Sequence, residues 1–419
     1  MTSTEFDVRR VQRRTIWLLA IAQIFSGLAT GCALSVGSLL AVDLSGSEAW
    51  AGSVTTTVTL GAAIASALFI RLAVARGRRI TLSTGLAAAL VGAGLVIVAA
   101  STRQFWLLLI AAVLIGAGTS VNLQARFAAT DLSEPRHRGR DLSLIVWMST
   151  VGSVAGPNLI APGESIAGAV GIPPLSGVFV ISAVAMVLGL LVIWIGLRPD
   201  PLLLAREGSA TNAAVRPRFR DGLRALLGHR RAAGALLGML VAHFAMVSVM
   251  AMAPVHLLHH GADVTVIGLT ISLHIAGMYA LSPVMGLLSD RIGASWVASA
   301  GLLVVIAGVL LAGFSGTDPV LTTAGLVLLG LGWSAATVSG SAAIVGAMPR
   351  EVVVAAQGVA DTSMSLAGVL GGVLSGLILA WSGYAGLGIV AAVLAALAVP
   401  VLLVAGRGRA VVPGSGSAG

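Results

Sequence analysis

From Arg198 to Arg231 the chain reads RPDPLLLAREGSATNAAVRPRFRDGLRALLGHRR, the longest polar stretch in 419 residues, rich in arginine and broken by Pro199, Pro201 and Pro217. Almost unbroken apolar sequence flanks it. The chain is 57% hydrophobic and only 10% charged, and its apolar runs exceed the ~20 residues that an α-helix needs to cross a bilayer core. Six such runs precede the polar stretch, near 17–41, 50–73, 80–100, 105–127, 141–161 and 173–196. Six follow, near 232–256, 264–286, 295–315, 320–345, 352–380 and 384–405. The expected fold class is an all-α integral membrane protein of twelve transmembrane helices in two six-helix bundles. Residues 1–197 form the first bundle, 198–231 a linker, 232–406 the second bundle and 407–419 a tail.

The basic residues fix an expected orientation. All 25 are arginines, and with the spans so drawn 24 fall on one side: Arg9, Arg10, Arg13 and Arg14, then Arg71, Arg76, Arg78 and Arg79, then Arg126, Arg136, Arg138 and Arg140, eight in the linker, and those beyond. Only Arg103 lies opposite. The positive-inside rule makes the arginine-rich side cytoplasmic and places both termini there, as expected for a multi-pass protein of a cell inner membrane. A net charge of +9 also suits nucleic acid. Here the arginines occupy short juxtamembrane turns with no soluble domain to present them, so they are topology determinants and contacts for anionic lipid headgroups.

Within the linker, Phe219, Leu223, Leu226 and Leu227 recur at helical spacing opposite Arg218, Arg224 and Arg231. That is the pattern of a helix lying on the inner leaflet, and a solvated linker is the plainer alternative. The basic start followed by an apolar run resembles a signal peptide, but the run is too long for one and ends without a small-residue cleavage site, so it is expected to stay as the first span. The single cysteine, Cys32, lies in that span as a small buried hydrophobe.

The halves echo one another, each with a short turn between its second and third spans on the arginine-rich side, as in parallel-repeat transporters. In the first half the turn is Arg76-Gly77-Arg78-Arg79; in the second it is Gly286-Leu287-Leu288-Ser289-Asp290-Arg291-Ile292-Gly293. The second turn resembles the Gly-x-x-x-Asp-Arg-x-Gly signature of the major facilitator superfamily, and the first is a degraded copy with Val74 at the aspartate position. The fifth span carries Gly152-Ser153-Val154-Ala155-Gly156-Pro157, similar to the Gly-x-x-x-Gly-Pro element of the antiporter branch. The fourth-span arginine of that branch is replaced by Ala112. The resemblance implies pseudo-twofold symmetry and alternating access around a central cavity. It also implies that Asp290 meets the positive end of the fifth helix and Arg140 to fasten the halves, with Arg291 as a second contact. Gly152, Gly156 and Pro157 would then shape the motion by letting helices approach and bend.

Chemistry narrows the function classes. A chain without lysine cannot supply the Gly-x-x-x-x-Gly-Lys loop of ATP-driven pumps. Neither His-Glu-x-x-His nor Gly-x-Ser-x-Gly occurs, so no enzyme activity and no cofactor are expected. Ionisable groups at membrane depth are costly and default to functional roles. Asp361, about nine residues into the eleventh span without a basic neighbour in sequence, is the first candidate for the proton carrier; a structural carboxylate bonded to backbone or to Arg126 is the alternative.

Five of seven histidines fall within residues 243–274. His243 begins a helical stripe with Met246 and Met250, and His274 one with Met278 and Met285. These residues are expected along the cavity, with His243 and His274 able to relay protons or bind substrate. A soft metal is a further reading of the same stripes, and methionine packing around bonded histidines the bland one. His256, His259 and His260 end the seventh span, where a pH-sensitive mouth or a plain polar helix end is favoured over a metal site. Asn122 and Arg126 share one face of the fourth span, where Arg126 meets an anionic group or snorkels to headgroups. Asp131 is expected to tether the loop of Arg136, Arg138 and Arg140; Asp43 and Glu48 are expected to be solvated. The combined expectation is a secondary transporter exporting a small amphipathic compound in exchange for protons. A proton-coupled uptake permease, a transporter of metal or metal chelate, and a membrane sensor are the alternatives.

Overall fold

The computed structural model describes residues 3–129, 131–133, 138–207, 219–349 and 352–406. Pro217, Arg136, Arg218 and the 407–419 tail lie outside them. The first half comprises α1 (Ser3–Ser45), α2 (Ser53–Thr102), α3 (Phe105–Ala128), α4 (Arg138–Ala155), a 3-10 turn at Gly156–Leu159, α5 (Ile160–Val170) and α6 (Gly177–Gly196). Short helices α7 (Pro201–Glu207) and α8 (Phe219–Gly228) lead to the second half. That half comprises α9 (Arg230–His259), α10 (Val264–Tyr279), α11 (Ser282–Ile292), α12 (Ala294–Gly313), α13 (Pro319–Ala347) and α14 (Val353–Gly406).

Twelve crossings follow from these elements. Ten stretches are long and apolar enough to span a membrane, and one of them, Ala355–Gly406, runs 52 residues. It contains Gly383 at φ 67°, so it is two spans joined by a glycine bend. The missing fifth span is α4 and α5 in series, interrupted by the 3-10 turn; it reaches Val170, nine residues past its expected end at 161. Within α2, Gly77 at φ 83° separates the second span from the third. Gly293, φ 97°, does the same between α11 and α12. Left-handed backbone favours glycine, so the last glycine of the signature is required by the turn, and its counterpart in the degraded first copy is Gly77.

Each half builds its own apolar core. Leu19, Leu82, Leu86 and Met186 belong to one cluster in the first half, and Leu302, Val305, Leu326 and Leu387 to one in the second. Seven of the eight tryptophans are exposed, among them Trp17, Trp106, Trp296 and Trp381. Such rings suit the headgroup level, one end apolar and the other wet. The linker helix α8 turns Leu226 inward, fully buried, and leaves Phe219, Leu223 and Leu227 exposed. Gly222 lies so close to the backbone of Ala355 and Ala356 that a side chain there would overlap it, which seats α8 against the base of α14.

Candidate functional site: a cleft between the two halves

The halves meet most closely away from the arginine-rich side. A side chain at Gly52 would overlap the Gly372 carbonyl, and one at Gly376 the Ala49 carbonyl. Thr56 donates to the Val369 carbonyl at 3.5 Å, and Glu48 lies 3.6 Å from His259. Leu39 and Ala51 of the first half pack into the core of the second.

The fifth span supplies the central part of this seal. Side chains at Gly152 and Gly156 would collide with backbone of α1 at Ile24, Leu28 and Cys32, while side chains at Gly27 and Gly31 would collide with Ser149 and Ser153. Four glycines thus let two helix backbones touch, as small residues do in membrane packing. Cys32, fully buried, donates towards the Gly156 carbonyl at 3.5 Å. At Pro157 the helix gives way to the 3-10 turn, since proline has no N–H to continue the ladder. Across the break, Ser272 of α10 donates to the Val154 carbonyl at 2.7 Å, and Asn158 Nδ2 donates to Ser272 Oγ at 2.7 Å. Gly268 closes on the Pro157 carbonyl just beyond. The result is a polar clasp between the halves.

Among the described residues, the hydrogen bonds and glycine contacts between the halves all lie away from the arginine-rich side, which leaves a cleft between the halves towards the arginines. Asp361 is exposed although it lies well inside α14. An exposed side chain there faces either lipid or the other half, and Asp361 shares a helical face with Gly372, three turns on, which packs against Thr56 and Gly52 of the first half, so it looks towards that half. Arg126 of that half is near enough to act on its charge. Around this pair the second half offers aromatic surface. Tyr279 and Trp333 meet edge to face at 5.8 Å, and the Trp333 indole N–H donates to His243 Nδ1 at 3.0 Å. Because an indole only donates, that bond makes Nδ1 an acceptor and puts the proton of the neutral ring on Nε2, which lies beside Gly368. On the first half, Thr119 and Asn122 share a helical stripe with Arg126, and Gln23 Nε2 donates to the Asn122 carbonyl at 3.4 Å.

Other candidates fall elsewhere. His274 does not line the cleft: it is fully buried and donates from Nδ1 to the Leu326 carbonyl at 2.7 Å, tying α10 to α13. Met246 and Met278 are buried in the apolar core of the second half, and Met250 in a cluster with Ile271 and Ile275, so these three methionines serve packing, while Met285 is half-buried in α11. His256 and His260 stay together, their rings 4.3 Å apart, and His259 turns away. His256 stacks on Tyr384 at 4.3 Å, His260 bonds the His256 carbonyl at 2.8 Å, and His259 turns to Glu48. No group of three or more metal-binding side chains forms among the described residues. Asp290 and Arg291 are exposed and have no ion-pair partner among the described residues. The backbone of Arg140 lies in the first turn of α4, and its side chain lies outside the described part.

Two carboxylates have partners that the sequence reading did not give them. Asp131 pairs with Arg78 through bonds of 2.8 and 3.1 Å, and Arg78 also donates to Gln124 at 2.9 Å. Asp43 accepts from Arg103 at 3.4 Å. Asp200 went unnoticed inside the linker. Its carboxylate accepts from the Arg79 N–H at 2.8 Å, lies against Gly77, and caps α7 through the Leu202 N–H at 3.0 Å. It supplies a carboxylate to the turn in which Val74 replaces the signature acid. Trp333 and Tyr279 were also missed; the only sequence signal was a tryptophan placed mid-span instead of at a membrane boundary.

Comparison with known proteins agrees with this architecture. The sequence model of the Major Facilitator Superfamily matches residues 19–262 and 235–417. The chain is 38% identical over 405 residues to the uncharacterized MFS-type transporter YdeG of Bacillus subtilis (strain 168), covering 96% of this chain and 94% of that one. It is 28% identical over 334 residues to the riboflavin transporter RfnT of Brucella anthropi, covering 77% and 78%. Among solved structures, a bacterial homolog to the human lysosomal transporter Spinster, inward-facing and unoccupied, superposes with a TM-score of 0.76 at 17% identity, covering 95% of this chain and 97% of that one.

Proposed function

Since the chain belongs to the major facilitator superfamily, and is thus a multi-pass membrane transporter and not an enzyme, we propose that it exchanges protons for a small amphipathic compound, moving the compound out of the cell. The observation that carries this reading is Asp361, an exposed carboxylate well inside α14 on the face turned to the first half, with Arg126 of that half near enough to act on its charge. A carboxylate in a cleft of low polarity can take up and release a proton within a cycle. When it is ionised it attracts Arg126 across the gap; when it is protonated that attraction is lost. Proton binding thereby changes the force between the two bundles. His243 serves as a second proton site only when the Trp333 bond breaks, because Nδ1 is its one basic nitrogen and the indole N–H occupies it. His274 is assigned no part in coupling, because its ring serves the α10–α13 contact.

In this proposal the arginine-rich side is cytoplasmic, both termini lie there, and residues 1–197 and 232–406 rock as units about the linker. The seal at Gly52, Gly372 and the Asn158–Ser272 clasp is then the extracellular gate, closed here, so the cleft faces the cytoplasm. Closing the opposite side brings Asp290 to the start of α4, where helix N–H groups and Arg140 offer positive charge. Likeness to a riboflavin transporter favours a cargo the size of an aromatic metabolite, and it keeps uptake by proton symport as the second reading.

The test is transport in proteoliposomes under an imposed pH gradient. Antiport requires substrate to move against the proton flow, and Asp361→Asn should abolish uphill movement while sparing substrate exchange. Undiminished uphill transport by that variant removes Asp361 as the carrier, and co-directional movement selects symport.

A further inference from the structure

Taking the cleft as the transport path, we infer that its cargo is an uncharged planar aromatic molecule bearing hydroxyl or N–H donors along one edge, because the two walls of the cleft differ in chemistry. On the first half the buried side-chain atoms without partners among the described residues include Gln23 Oε1, Asn122 Oδ1 and Thr119 Oγ1. Gln23 is 1% exposed, and its Nε2 is already bonded to the Asn122 carbonyl, so the free atom is the acceptor. The face of α1 that carries Gln23 also carries Leu34, three turns on, and Leu34 packs against the Ile271 and Ile275 cluster of the second half. Gln23 is thus on the face that looks across the molecule. A buried acceptor without a donor costs about 1–3 kcal/mol, and a cargo supplying O–H or N–H groups relieves that cost.

The opposite wall offers rings. The Trp333 N–H is committed to His243, so Trp333 has only its aromatic surface to give, and Tyr279 stands at 77° to it as a second side of an apolar corner. Aromatic rings favour stacked or edge-to-face neighbours at such spacings. In the proton-released state, the one that takes up cargo in an antiport cycle, ionised Asp361 offsets Arg126 and the pair presents no net charge, which disfavours an ionic cargo. A ring system therefore lies against α10 and α13, and its donor edge meets α1 and α3.

The test uses three probes on the detergent-purified full-length protein: riboflavin, which joins a planar ring to a hydroxylated chain; 3-methyllumiflavin, the same ring with neither O–H nor N–H donors; and ribitol, the chain without the ring. Saturable binding is expected in the order riboflavin, 3-methyllumiflavin, ribitol. Thr119→Val and Gln23→Leu should each weaken riboflavin about threefold to tenfold and leave 3-methyllumiflavin unchanged, as expected for one lost hydrogen bond. Trp333→Leu should weaken both ring compounds. If Gln23→Leu lowers the yield of folded protein, the shape-preserving Thr119→Val decides alone. Equal loss for riboflavin and 3-methyllumiflavin, or no saturable binding of either, overturns the inference. Proton-driven transport of another compound that remains sensitive to Asp361→Asn would, in that event, leave the antiport reading standing.

Discussion

At the scale of single residues, the side chains that act through a distant partner are those that a linear reading misjudges. Asp200 is the sharpest case: it lies 121 positions from Arg79, yet its carboxylate caps the start of the third span as well as α7. Losing a capping side chain typically costs about 0.5–2 kcal/mol. Asp200→Ala should lower the thermal unfolding temperature in detergent while Asp200→Asn retains most of the stability; an Ala variant as stable as the parent would show that the cap is dispensable. Asp361 was identifiable because a carboxylate deep in an apolar run is costly whatever surrounds it. His274 carried the same signal. There a backbone carbonyl of α13 accepts the Nδ1 hydrogen bond, while Nε2 stays buried without a partner among the described residues.

At the scale of elements, the spans were readable and their rotations were not. In water a helix shows its buried face by the contrast between apolar and polar positions; in lipid both faces are apolar and the contrast fades. Met246, Met250 and Met278 were accordingly assigned to the cavity, although all three turn into packed cores. Gly152 and Gly156 escaped this ambiguity, because a regular spacing of small residues marks close approach on any background. Gly152→Ala would push a methyl group into the Ile24 carbonyl of α1. Such overpacking costs typically ~1–3 kcal/mol, and a reduced unfolding temperature together with slower transport is expected. Unchanged values for both would mean that the helices part without penalty.

At the scale of the whole molecule, the transport cycle depends on the balance between two seals, of which one is formed here. Ser272→Ala removes the centre of the Asn158–Ser272 clasp and weakens only the state described. Loss of about 1 kcal/mol would raise the alternative state roughly fivefold, seen as faster labelling of a cysteine placed at Thr56 from the face opposite the arginines. Asp290→Asn should act in the reverse sense. Asp290 has no ion-pair partner among the described residues in this state, so the substitution leaves this state untouched, and distances between spin labels on the arginine-rich ends of the halves should lengthen on average. Shorter distances would contradict a latch at that position. The twofold plan itself was legible from the polar divide at 198–231 and the paired turns at Gly77 and Gly293. Which seal is closed was not, because both states use the same helices.

The enclosure of Trp333 among exposed sisters has a practical corollary. Brominated phospholipids dim indoles that border the acyl chains, and a water-borne quencher too bulky to enter the cleft reaches those near the headgroups, so the glow that survives both belongs to the ring beside His243. The molecule thus carries its own lamp in the chamber, and a cargo settling there should change its colour or brightness without any dye attached.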